Sequence, residues 1–151
     1  MTVWILGFLV VAVLVLTQTA EADVTTQANS DTGKPLSPFA DAIGHAEGFF
    51  TANTRPRRNN NPGDFILAPP ATNYTDKSDG TYAIFDNVQD GWQALEDELD
   101  LVRRGVSKNY TTSMTFNQFA QKYSPDGWQN WAKNVANFVG AQPEEQIGAY
   151  L

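Results

Sequence analysis

The chain contains no cysteine and only one histidine, His45. Without thiols there is neither a disulfide framework nor a cysteine-ligated metal, and one imidazole cannot build a histidine-rich site. A Ser–His–Asp triad would have to use His45, and no Gly-x-Ser-x-Gly context accompanies it. Nothing in the residue inventory calls for a cofactor. Basic residues are scarce too: ten Lys and Arg stand against 17 Asp and Glu, for a net charge of −7. That balance argues against broad nucleic-acid binding, which needs a basic surface. It also gives no overall attraction to anionic polymers, so recognition of one must rest on local contacts. The main basic cluster is Arg55, Arg57 and Arg58. It reads as a solvated loop by default, or as a partner for ligand carboxylates.

Charge is absent altogether from Val3 to Leu16. This apolar run is short for a membrane span, and Ala20-Glu21-Ala22 after it matches a small-x-small cleavage site. Met1-Thr2 supplies no Lys or Arg, so residues 1–22 read either as a signal peptide or as an uncleaved anchor through residues 3–19. Both readings place the rest of the chain outside the cytoplasm, secreted or periplasmic. Residues 23–36 are polar, small and unpatterned, as in a flexible spacer. Residues 37–151 are enough for one domain, show no internal repeat, and are expected to be monomeric.

The informative stretch is Ser37 to Gly63. Ser37-Pro38 is a helix start, a hydroxyl cap followed by proline at the first position. Phe39, Ile43 and Glu47 then follow at i, i+4 and i+8 along one helical face, and Gly48 marks the stop. A carboxyl at the end of an apolar stripe invites desolvation, and the negative helix end disfavours its charge. Both raise a carboxyl pKa, as a general acid near neutral pH requires. The plain alternative is a solvated glutamate near a helix end. Asn59-Asn60-Asn61-Pro62-Gly63 follows as a dense polar turn.

Further on, Asn87 is a cap with Asp90 three residues later, and Val88, Trp92, Leu95, Leu99 and Val102 form a helical stripe. Asp97, Glu98 and Asp100 fall mostly on its solvated side. Thr115 opens a shorter helix with Phe116, Phe119, Ala120 and Tyr123, ended by Ser124-Pro125. A third stripe runs Trp128, Trp131, Val135, Phe138, and Pro143 opens a last short helix to Leu151. Between the first two helices, Phe65-Ile66-Leu67 and Thr81 to Phe85 predict a small β-hairpin around a long loop. The fold class is therefore α+β and mostly helical, with a small β wing. Asn73-Tyr74-Thr75 and Asn109-Tyr110-Thr111 fit a glycosylation pattern that arises often by chance, and they are given no role.

Taken together, His45-Ala46-Glu47-Gly48-Phe49, the turn RNNNPGDF and the later segment FDNVQDGWQALEDEL resemble the lysozyme-like superfamily. The resemblance runs from Ser37 to the C-terminus and leans toward bacterial and phage-borne lytic transglycosylase or muramidase domains. It implies a lysozyme-like single domain that binds peptidoglycan glycan strands, with Glu47 as catalytic acid and base. A hydrolysing muramidase needs a second carboxylate, and Asp64 is the best-placed candidate. A lytic transglycosylase instead uses the sugar's own C6 hydroxyl, leaving a 1,6-anhydromuramyl end. Asn60 and Asn61 carry donors and acceptors suited to N-acetyl and hydroxyl groups, or merely join helix to strand. Tyr82, Tyr123 and Phe85 are candidates to line the cleft. The resemblance also implies a tyrosine that positions the glutamate, and Tyr123 matches it by order. Trp128, the tryptophan nearest a loop, is the candidate for sugar stacking. Two other functions stay open: a catalytically inactive glycan-binding part of a virion or secretion apparatus, and a small helical protein that binds other proteins.

Overall fold

Five α-helices carry the described chain: α1 (Pro38–Ala46), α2 (Arg55–Arg58), α3 (Val88–Arg103), α4 (Phe116–Tyr123) and α5 (Trp128–Phe138). A 3-10 turn at Ile147–Ala149 follows them. This computed structural model describes residues 33, 35, 37–66 and 82–151. The expectations for residues 1–22 and for the long loop from Ala68 to Gly80 lie outside the described residues. The described protein is mostly helical, as the apolar periodicities predict.

The helix starts follow their capping chemistry. The Ser37 hydroxyl accepts from the Ala40 N–H at 3.2 Å, and Pro38 needs no partner for a missing N–H. Asn87 accepts from the Asp90 N–H at 3.0 Å and gives its own amide to the Asp90 carboxylate at 2.8 Å. Thr115 and Gln118 form a full reciprocal capping box. One core then forms from the apolar faces. Phe39 and Ile43 of α1, Trp92 and Leu95 of α3, Phe116 and Phe119 of α4, and Trp131 and Val135 of α5 all meet in it. Helix α1 packs on both α5 and α3, and α4 packs on α5. Packing also begins before residue 37, because a Cβ on Gly33 would lie 2.4 Å from Val88 Cγ1.

Three expectations are corrected. No strand forms among the described residues at the predicted hairpin. The 65 and 83 positions are joined by one backbone bond, Ala83 N–H to Phe65 O at 2.7 Å. The Asn61 side chain supplies the rest: its amide donates to the Phe65 and Ala83 carbonyls at 2.9 and 3.0 Å, and its carbonyl accepts from the Phe65 N–H at 3.0 Å. The Asn61 side chain thus links the two segments, while Leu67 and Thr81 lie outside the described residues. Second, the last helix does not start at Pro143. Ile147 and Gly148 donate instead to the Met114 and Thr112 carbonyls, which draws the tail against the entry to α4. Third, Phe138 is 45% exposed while Ala132 and Ala136 take the inner face of α5. Its ring rests beside His45 at 4.9 Å.

Two glycines set how closely the sequence motifs approach one another. A Cβ on Gly44 would lie 2.5 Å from the Trp92 ring, so α1 and α3 meet without a side chain between them. A Cβ on Gly91 would lie 1.9 Å from the Asn60 carbonyl oxygen, so the asparagine turn sits directly on the first turn of α3. Replacing glycine by alanine inside a helix ordinarily stabilises it by ~0.5–1 kcal/mol. Here the sign should reverse. Gly91→Ala is expected to destabilise the protein by ~1–3 kcal/mol, as overpacking against backbone does. Denaturant unfolding measures it, and a neutral or stabilising result would show that the turn is not seated on α3.

Candidate active site

Glu47 is the C-cap of α1, its N–H still bonded to the Ile43 carbonyl at 2.9 Å. The chain then leaves the helix through Gly48 in the left-handed region. The Thr54 hydroxyl fixes the turn, lying 2.9 Å from the carbonyls of both Gly48 and Thr51. Helix α2 follows at once and carries Arg55 beneath the same cleft. The cleft has a volume of about 1030 Å³ and is lined by Glu47, Arg55, Asp64, Phe65, Tyr82 and Tyr123. Residues of α3, including Ala94, Asp97 and Glu98, line it too.

Two carboxyl groups in this cleft have opposite surroundings. The Glu47 carboxyl is pushed up to about 7, chiefly by burial; the Trp131 hydrogen bond and then Arg55 pull it down, while the charge of Asp64 pushes it further up. Its Oε1 accepts from the Trp131 indole N–H at 2.6 Å. Asp64 instead receives a guanidinium on both oxygens, Arg55 Nε on Oδ1 at 3.0 Å and Arg55 NH2 on Oδ2 at 2.5 Å. Such a fork is the strongest pairing a carboxylate finds in a protein. Asp64 also holds a left-handed backbone, φ 47°, a region that Asp enters more readily than most residues. The Arg55 guanidinium lies 3.6 Å from the centre of the Tyr82 ring, a cation–π contact.

The sequence candidates separate cleanly. Glu47, Asp64, Tyr82 and Tyr123 line one cleft. The Tyr123 hydroxyl donates to the Gly63 carbonyl at 2.6 Å, and burial, then the nearby Glu47 charge, hold the phenol well above its ordinary pKa. Tyr123 therefore braces the turn, and the group bonded to Glu47 is a tryptophan. Asn60 and Asn61 are corrected. Asn61 is fully buried, its amide committed to backbone, and the Asn60 amide donates to the Phe85 carbonyl at 3.0 Å. They build the wall of the cleft and do not line it. Phe85 is likewise buried, packed with Ala83 and Ala94. Trp128 packs at the edge of the core and lies outside the cleft lining. Asp97, Glu98 and Asp100, assigned to a solvated side, form part of the cleft wall.

Trp131, expected only in an apolar stripe, and Arg55, expected only in a basic cluster, are the direct partners of Glu47 and Asp64. The available signal for Trp131 was its chemistry: a buried indole N–H needs an acceptor, and the only carboxyl ending an apolar stripe is Glu47. Comparison with protein-family models, with curated proteins and with solved structures finds no match. The chemistry of the site is the ground for a function.

A raised carboxyl pKa is also a stability statement. In the unfolded chain Glu47 titrates near its ordinary 4.5, and in the folded protein near 7. Folding therefore retains a proton across that window. Stability from this group is fully present below pH ~4.5, declines as pH rises, and is gone above ~7. Two and a half pKa units correspond to about 3 kcal/mol. Glu47→Gln, which keeps the shape and cannot ionise, should match the wild type near pH 4 and exceed it by up to about 3 kcal/mol at pH 8. Urea unfolding across pH 4–9 measures the difference, and parallel curves for the two proteins would contradict it.

Proposed function

We propose that this protein is a peptidoglycan lytic transglycosylase with a lysozyme-like arrangement of its helices. It cleaves the β-1,4 bond between N-acetylmuramic acid and N-acetylglucosamine. The observation that carries the reading is Glu47: a carboxyl that keeps its proton to about pH 7, held at the edge of a cleft of about 1030 Å³. A group of that pKa can both give and take a proton near neutrality.

The reaction runs in two proton transfers through one residue. Glu47 gives its proton to the bridging oxygen as the bond from muramyl C1 to that oxygen breaks, and positive charge develops on the ring. Glu47 is then a carboxylate beside an oxocarbenium-like centre. The muramyl C6 hydroxyl attacks C1, and its proton passes to Glu47, which restores the acid. The products are a free N-acetylglucosamine 4-hydroxyl and a 1,6-anhydromuramyl end. Holding an internal nucleophile at C1 replaces the capture of a water, and positioning of this kind is worth up to ~7–11 kcal/mol of barrier.

Asp64 favours this course over hydrolysis. A hydrolase needs a second carboxylate free to attack or to deprotonate water. Both oxygens of Asp64 are occupied by Arg55, which limits their reach toward a water or a sugar. Asp64 keeps a supporting part, since its fixed negative charge lies close enough to raise Glu47 and would stabilise positive charge on the sugar. A hydrolysing muramidase remains the second reading because Asp64 lines the same cleft. An inactive glycan binder is disfavoured: binding alone gains nothing from a carboxyl whose ionisation destabilises the fold. A peptidoglycan substrate also requires export, in keeping with the reading of residues 1–22.

Purified sacculi test the whole reading. Glu47→Gln should lose at least ~10²-fold of the release of soluble muropeptides, the scale of a lost general acid. Asp64→Asn should lose far less, keeping substantial release while the support of its charge is gone. Mass spectrometry should find muramyl ends that lack one water and resist borohydride reduction. Predominantly reducing ends, with Asp64→Asn inactive, would make the protein a hydrolase. No release by the wild type, with retention on the sacculi, would make it a binder.

A further inference from the structure

We propose that Trp131 is the positioning residue of Glu47, confining the exchangeable proton of the carboxyl to the oxygen that opens on the cleft. This rests on the reading of Glu47 as the acid of that cleft, and it concerns how the proton is aimed.

The argument begins with the two carboxyl oxygens. Oε1 accepts from the Trp131 indole N–H at 2.6 Å. Oε2 has no hydrogen-bond partner among the described residues, yet it is not among the sealed-in polar atoms that lack one. Glu47 lines the cleft, so Oε2 is the oxygen that solvent or a substrate reaches. An indole N–H only donates. It can face a lone pair and cannot accept a proton, so a proton on Oε1 directed at Trp131 would set two hydrogens against each other. Tyrosine or histidine in this place would accept as well as donate and would leave the choice of oxygen open. With tryptophan the acid form has one arrangement: Oε1 bare toward α5, Oε2–H toward the cleft.

The indole is itself held. Trp131 is 5% exposed, and its ring lies 5.1 Å from Tyr123 and 5.9 Å from Phe119, stacked on the latter at 24°. A buried indole packed against two rings cannot follow a wandering carboxyl. The other charged or titratable groups facing Glu47 are Asp64, Arg55 and the Tyr123 phenol. Asp64 and Arg55 are bound to each other and Tyr123 to the Gly63 carbonyl, so none of them replaces the indole.

Two measurements test this on the full chain, and the first needs no substrate. Tryptophan fluorescence between pH 5 and 9 should show a transition that follows Glu47. It should vanish in Glu47→Gln, which leaves every tryptophan in place, and persist in His45→Gln. A transition unchanged by Glu47→Gln would overturn the coupling. The second is the kinetics of Trp131→Phe on purified peptidoglycan. Loss of the donor should lower kcat by ~10²-fold with little change in KM, since misaiming a bound group acts on the chemical step. It should also move the alkaline limb of the pH profile upward, because the indole bond favours the ionised form. An unshifted limb would reduce Trp131 to a packing residue. If the wild type cleaves no peptidoglycan while its fluorescence transition is lost in Glu47→Gln, Trp131 still positions Glu47 and only the proposed substrate falls.

Discussion

The hydrogen bond from the Trp131 indole to Glu47 joins residues 84 positions apart, and the site exists only because the core brings those two together. Glu47 closes α1 and Trp131 faces inward from α5. The packing of α1 on α5 therefore sets the geometry of the acid as directly as it sets the core. Phe39 and Ile43 lie fully buried on α1 and Val135 on α5. These apolar contacts hold a polar one in place, and a shift of either helix would part the indole from the carboxyl. The burial that stabilises the core is also what desolvates Glu47. Stability and reactivity thus draw on one arrangement with opposite signs.

The second wall of the cleft depends on the asparagine turn. Asn61 stitches residue 65 to residue 83 through its side chain, while the Asn60 carbonyl rests on the bare face of α3 at Gly91. A two-stranded ribbon is marginal on its own, and the described residues avoid the need for one. A single buried amide satisfies three backbone groups at once. The same turn leads directly into Asp64, whose left-handed backbone aims its carboxylate back at Arg55. Loop, salt bridge and cleft wall are consequences of one short run of sequence.

The helices were legible because their signals are local. Ser37, Asn87 and Thr115 cap helices whose apolar residues recur at three and four, and each helix starts where its cap says. The position of Glu47 was legible for the same reason. What was not legible depended on tertiary partners. Trp128 and Trp131 share one stripe at a spacing of three, so periodicity cannot say which meets a carboxyl. The amides of Asn60 and Asn61 read equally well as sugar contacts or as backbone partners, and buried carbonyls at 65, 83 and 85 claimed them. The hairpin expectation at 65–67 and 81–85 rested on short apolar, aromatic and β-branched runs, of which residues 65–66 and 82–85 are described. Such runs record burial, and the hydrogen bonds of a ladder can come from elsewhere.

The contrast between the two acids carries the functional argument furthest. One protein field acts on both, yet Glu47 faces a donor that offers a single N–H and Asp64 faces a full guanidinium fork. The first arrangement holds an acid without stabilising its anion enough to ionise it. The second holds both oxygens of its carboxylate on one guanidinium. In the proposed reaction Glu47 moves the proton, and the charge of Asp64 acts on it from close by. Their mutual repulsion strengthens the division, since the fixed charge on Asp64 is one of the forces that keep Glu47 neutral. As Glu47 gives up its proton, that repulsion grows, and a cation forming between the two would relieve it. In the proposed reaction the pair would favour positive charge in the cleft once the acid has acted, the demand that glycosidic bond cleavage makes.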